Sequence, residues 1–207
     1  MGKSLTFAVV KKKKQISVVL TLLLLLCTPA STSAQVNLRT NLLYDAVIIP
    51  NVGVEYGFSD RYSVTANIIY TWLKNDSRHR YWRIISTDIE VRYWLGNVEQ
   101  RQQLSGHHVG VYGAIYRYDF EFGGKGEMGN FNYGGGISYG YNLPISRMLS
   151  LDFNLGIGFV GGKYKEYRPI DMHYVWQGDW QRNYFGPTKA EVTLVWHIDR
   201  KTKGGTQ

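Results

Sequence analysis

From residue 35 onward one pattern recurs along the chain. Apolar and polar residues alternate at period two, which gives each segment one greasy and one polar face, the signature of a β-strand between unlike surroundings. Residues 61–72 show it best. Tyr62, Val64, Ala66, Ile68, Tyr70 and Trp72 share a face, Arg61, Ser63, Thr65, Asn67 and Thr71 share the other, and Ile69 is the exception. In 85–95, Ile85, Ile89, Val91, Tyr93 and Leu95 oppose Ser86, Asp88, Glu90 and Arg92. Residues 131–143, 149–159 and 189–198 repeat the pattern, and 37–44 and 51–58 carry shorter versions. An eighth segment, 109–122, starts with Val109, Val111 and Ile115 and blurs over 116–120, as at a bulge or a rise above a membrane. No helix-period stripe competes. The expectation is an all-β fold, an eight-stranded antiparallel up-and-down transmembrane β-barrel over residues 35–198.

Alternation alone also fits a soluble barrel or sandwich with apolar residues inside. Three features reverse the polarity. The polar face places Asp88, Glu90, Arg92, Asp152 and Glu191 at strand centres beside many glycines, which suits a narrow interior better than a wet surface. Aromatic residues gather at strand ends: Tyr44, Tyr70, Trp72 and Tyr81, then Phe131, Tyr133, Phe159 and Tyr184, at one level, with Phe58, Tyr62, Tyr93, Tyr141 and Trp196 at the other. Such rings form the interfacial girdles of membrane barrels. Closure also leaves no unpaired backbone edge in lipid. Connections alternate in length accordingly. Residues 59–60 and 144–147 are tight, and 74–80, 123–129 and 165–182 are longer, polar and expected outside together with the apolar 46–50 link. Residues 97–105 form the longest turn on the other side.

The first 34 residues are read as a cleaved signal peptide. Four lysines at 11–14 precede the eleven-residue apolar run 16–26, and Ala34 closes a small, polar stretch. A spanning helix would need ~20 apolar residues. Cys27 follows Leu26, where lipid attachment wants a small residue, so it reads as a bystander in the leader. Five lysines leave with that leader, so the formal charge falls from +8 to +3. The basic balance then gives no ground for nucleic-acid binding. The remainder has no cysteine, hence no disulfide or thiolate metal site. Residues 199–207 read as a polar C-terminal tail.

Several stretches carry a family resemblance: Leu38-Arg39-Thr40-Asn41-Leu42-Leu43-Tyr44-Asp45-Ala46, Pro50-Asn51-Val52-Gly53-Val54-Glu55, Glu90-Val91-Arg92-Tyr93-Trp94-Leu95, Tyr133-Gly134-Gly135-Gly136 and Asn183-Tyr184-Phe185-Gly186-Pro187. The chain resembles a Bacteroidota family, domain of unknown function 3575, understood as an outer-membrane β-barrel. The resemblance implies fold and an outer-membrane location, with outer-membrane lipid and the barrel-assembly machinery as partners. It implies no chemistry. The polar tail is a departure, because assembly signals usually end the chain, so recognition here would use an internal strand.

A lipid-modifying enzyme needs a nucleophile, a base and an orienting group together; His79, His107, His108, His173 and His197 form no recognisable set with serine and an acid on the outward face. Metal binding by His107 and His108 is excluded by their opposite faces on a strand. The interior charges Arg39, Asp88, Glu90, Arg92, Asp152, Lys189 and Glu191 are expected to pair with one another, because an unpaired buried charge is costly. Eight strands enclose an interior that side chains fill, which argues against a wide pore. The outer segment with Tyr167, Tyr174, Trp176 and Trp180 is the candidate surface-binding loop for a protein or glycan, or else a lid on the barrel mouth. The overall expectation is a non-enzymatic outer-membrane barrel, without cofactor, with a structural or adhesive role. The alternatives are a lipid-A or phospholipid hydrolase or acyltransferase, and an exported soluble barrel for a small apolar ligand.

Overall fold

The computed structural model describes residues 35–75, 80–170 and 173–198, so the expected leader and polar tail lie outside the described residues. The strands are β1 (Gln35–Asn41), β2 (Asn51–Gly57), β3 (Tyr62–Asn75), β4 (Arg80–Trp94), β5 (Gly106–Phe122), β6 (Lys125–Pro144), β7 (Leu149–Ile170) and β8 (His173–His197). One short helix, α1 (Leu42–Ala46), follows β1. Each strand pairs antiparallel with the next, and β8 returns to β1 through Asn37↔His197 to Asn41↔Thr193. The expected closed eight-stranded barrel is what the chain forms.

The alternation dictates which way the faces turn. Val111, Ile137 and Leu155 are 65%, 62% and 68% exposed, whereas Glu90, Arg92 and Asp152 are fully buried. Polarity is inverted relative to a water-soluble barrel.

Turns at the end holding both termini are tight for a local reason. Ser59 Oγ accepts from the N–H groups of Arg61 and Tyr62, and Ser146 Oγ accepts from those of Met148 and Leu149. The 97–105 connection folds back and seats Leu104, at 0% exposure, in the barrel mouth. A Cβ on Gly57 would stand 2.8 Å from its methyl, so that glycine makes room for the plug.

At the far end the wall climbs. Strand lengths run 7, 7, 14, 15, 17, 20, 22 and 25 residues from β1 to β8, so the longest strand stands beside the shortest. Two segments expected as loops are therefore strand. Gly123 and Gly124, at φ +61° and +78°, make the β5–β6 reversal alone, and 125–129 pair with β5. Residues 165–170 pair with 173–179 as a ribbon, and 180–182 continue the pairing with 162–164. Register shifts hid both: one extra residue at Asn130 in β6, and two in β8, at Gln177 and Thr188.

Three of the expected outer-level aromatics are placed differently. Tyr44 belongs to α1, not to β1, and lines the interior with Asp88 and Glu191. Tyr184 pairs with Val160 on the interior side, because the extra residue at Thr188 reverses the alternation. Tyr81 is only 7% exposed, with the Arg83 guanidinium 4.3 Å from its ring centre.

After α1 the chain turns sharply, and Ile48 sits at φ +59°, a conformation that disfavours a β-branched residue. Its side chain is 78% exposed and gains little from packing. Replacing Ile48 with glycine is expected to raise stability by about 1 kcal/mol, read from the urea midpoint of the refolded barrel; an unchanged or lower midpoint would show that the side chain is needed where it stands.

Candidate functional site

Inward-facing residues from every strand meet in one ionic cluster halfway along the barrel. Asp152 of β7 is its hub. Its Oδ2 accepts from Arg39 Nη2 at 2.6 Å and Arg92 Nη1 at 2.7 Å, and its Oδ1 lies 2.8 Å from His108 Nε2. Glu55 of β2 binds Arg39 at 3.1 Å, stands 3.7 Å from Arg92, and accepts from Ser63 Oγ of β3. Glu90 takes Arg92 at 3.1 Å, Lys189 at 2.7 Å, Ser138 of β6 and Asn154. Lys189 also reaches Asp88 at 3.1 Å and Glu191 at 3.5 Å.

All seven charged residues picked out from the alternation are thus in one interior network. Glu55 and His108 were missed as members. Both sit at inward positions of the alternation, so parity was the available signal. His107, next in sequence, points outward against the Tyr139 hydroxyl at 2.7 Å.

Toward the termini a neutral plug follows. His197 Nε2 lies 3.0 Å from Ser150 Oγ, while its Nδ1 lies 2.9 Å from Asn37 Oδ1 and from Gln35 Nε2. Here is a serine–histidine–asparagine set that the sequence did not reveal, since its members come from three strand ends. All are at most 1% exposed, so no substrate carbonyl reaches Ser150 in this arrangement. Trp94 packs on His108 at 4.7 Å and donates to Ser63.

Toward the far end the lumen opens above Tyr112. Its ring crosses the interior over Gly136 and Gly156, where a Cβ would stand 2.8–2.9 Å from it, and its hydroxyl meets Thr188. Above lies a cavity of about 260 Å³ bounded by Tyr44, Ile69, Ile84, Asp88, Tyr116 and Val160. The glycines do not open a channel at this level; they let Tyr112 close it.

The ribbon beyond the apolar belt carries the proposed binding residues. Tyr174, Trp176 and Trp180 are 46%, 50% and 55% exposed, but Tyr167 is buried and unavailable for surface contact. Its ring lies over Gly126, where no side chain would fit, and its hydroxyl donates to Asp119 at 2.7 Å. Burial, then that bond and the charges of Asp119 and Glu121, hold its phenol well above the usual tyrosine range. Tyr174 and Trp176 meet it edge-on, which ties β7 to β8 near their outer ends. On the opposite face Tyr118 bonds Glu127 and Arg182, and Arg182 also covers the Tyr164 ring.

The geometry defines a class: an inside-out antiparallel barrel with a packed ionic interior, crowned on one side by a β-ribbon. The chain belongs to the family described as protein of unknown function (DUF3575), which it matches over residues 18–198. No curated protein matches it.

Removing the hub should be more damaging than removing the whole pair. Asp152→Ala leaves Arg39 and Arg92 facing each other in a dry interior and is expected to cost about 3–5 kcal/mol of stability. Combining it with Arg39→Met should recover part of that loss. Urea titrations of both variants decide it, and a double variant no better than the single one would remove Asp152 from the hub.

Proposed function

We propose that the protein is exported, inserts in the outer membrane, and serves there as a non-enzymatic barrel whose ribbon makes contacts at the cell surface. One observation carries this reading: the outward faces are apolar along every strand while full charges are enclosed and mutually paired. Water would not select that distribution, whereas hydrocarbon on the outside requires it. In this orientation both termini and the Leu104 plug are periplasmic, and the wall climbing to β8 is extracellular. The barrel-assembly machinery would place it, and the basic stretch before residue 26 would direct export.

The leaderless polypeptide is expected to refold only with detergent or lipid and to migrate differently on gels before and after boiling. A folded, monodisperse monomer in plain buffer would overturn the reading in favour of a soluble barrel. Orientation has its own test. The only cysteine of the chain is Cys27, ahead of the barrel. Asp179→Cys therefore creates a single reporter on the ribbon, and a membrane-impermeant maleimide should label it in intact cells. Labelling only after lysis would reverse the topology.

A second reading, lipid hydrolysis or acyl transfer, rests on the Ser150–His197–Asn37 contacts. We assign these to the plug instead, because the serine has no route to a lipid. Ser150→Ala is expected to leave the acyl composition of outer-membrane lipids unchanged by mass spectrometry; loss of an acyl modification would establish the enzyme.

A further inference from the structure

From Leu149 to Gly161 every outward residue of β7 is apolar or glycine, and the next outward residue is Lys163. That stretch makes about 40 Å of strand. At a tilt of about 40° it rises about 30 Å, the thickness of a bilayer's hydrocarbon. Lys163 therefore stands where hydrocarbon gives way to headgroups. On β5 the outward series Val109, Val111, Gly113 and Ile115 likewise ends in a cation, Arg117.

Strand β6 sets the two cations at one height. Phe131 pairs with Lys163, and Arg117 faces the same point of β6, where Asn130 is the extra residue between the Tyr116↔Asn132 and Tyr118↔Gly129 pairs. Two strand spacings separate them, about 10 Å between Cα atoms. Both side chains are exposed, and neither has an ion pair or hydrogen bond among the described residues. The other cations of this face differ. Arg83 pairs with Asp119 at 3.1 Å, and Lys165 stands 3.6 Å from Asp179. Asp119 is also engaged by the Tyr167 hydroxyl, so it has little left to offer Arg117. Deeper in the apolar belt, Gly113 pairs with Gly135, and a Cβ on Gly113 would meet nothing within 4 Å. Ile115 above and Val111 below both stand out from the wall, so the two glycines leave a notch between exposed side chains.

We infer that this face holds one phosphate-bearing membrane lipid, its phosphate between Arg117 and Lys163 beside Phe131 and one acyl chain descending over the Gly113–Gly135 notch. The inference rests on the membrane reading above, which puts this level in the outer leaflet. Two unpartnered cations at headgroup height call for an anion, and the anion found at that height is a lipid phosphate. A guanidinium fork matches phosphate oxygens in pairs, and the lysine adds a point charge from the other side. A zwitterionic headgroup brings its own cation and gains less. A soluble phosphate compound has no chain for the notch.

The test uses the refolded chain from residue 35 in non-ionic detergent, mixed with equal amounts of phosphatidic acid and phosphatidylcholine of the same acyl chains. Retained lipid is counted by native mass spectrometry. One phosphatidic acid per barrel should be retained, at least about tenfold over phosphatidylcholine, and the Arg117→Gln, Lys163→Gln double variant should bring that preference within about twofold of parity. Lys165→Gln, which removes a cation already paired, should keep it. Gly113→Leu fills the notch and should lower retention at least about threefold. Excess glycerol 3-phosphate should not displace the lipid. Equal retention of the two lipids, an undiminished preference in the double variant, an equal loss in Lys165→Gln, full retention in Gly113→Leu, or displacement by glycerol 3-phosphate overturns the site. If that happens in a preparation that still shows the boiling-dependent gel shift, the barrel reading stands and only this inference falls; a chain that never inserts overturns both.

Discussion

Everything in this barrel depends on the Asp152 carboxylate being met by Arg39, Arg92 and His108 at once. Strands β1, β4 and β5 deliver those groups, and Glu55 and Glu90 extend the same mesh to the remaining ones. Taking such charges from water is expensive, and close mutual pairing is what offsets it. The mesh also selects register. A slip of one residue between neighbouring strands would turn a carboxylate outward and an aliphatic side chain inward. An ionic core of this kind adds little net stability compared with a greasy one. What it adds is discrimination between the one closed arrangement and its near neighbours.

Along the axis the interior changes character in steps. A neutral hydrogen-bonded plug and Leu104 seal the terminal end, the charges fill the middle, Tyr112 closes above them, and an aromatic-lined cavity follows. Small residues make this possible at specific places. Gly110 lies where a Cβ would strike Glu90 and Ser138, and Gly136 and Gly158 pass so close to the backbone of the adjoining strands that any side chain would force them apart. The glycines of the polar face are thus the space into which long charged and aromatic side chains fold.

The period-two pattern was sufficient for strand count and order, and the charges at strand centres with the aromatic residues at strand ends set the direction of each face. It also isolated Arg39, Asp88, Glu90, Arg92, Asp152, Lys189 and Glu191. Glu55 escaped as a partner only because its segment is short. The far end was illegible for a physical reason. Toward the far end both faces carry polar as well as aromatic side chains, so the alternation fades, and single extra residues at Asn130, Gln177 and Thr188 each reverse what remains. Tyr184 and Tyr167 were misplaced on that account. Tyr44 was misplaced because Asn41 caps a helix there, its side chain accepting from Leu43 N–H, where the pattern alone continued a strand.

The two ends of the molecule answer to different constraints, and the second depends on the first. A ribbon of two strands has marginal stability in water by itself. Here β7 and β8 continue from the barrel wall, and Tyr167, locked over Gly126 against Asp119, ties the outer part of β7 to β5 and β6. Rigidity made by charges in the interior is thereby carried upward into a wall with little core to hold it. Because strand length increases around the ring from β1 to β8, that wall must end in a step where the ring closes. A barrel of even height would have no such edge. The step follows from closing a ramp.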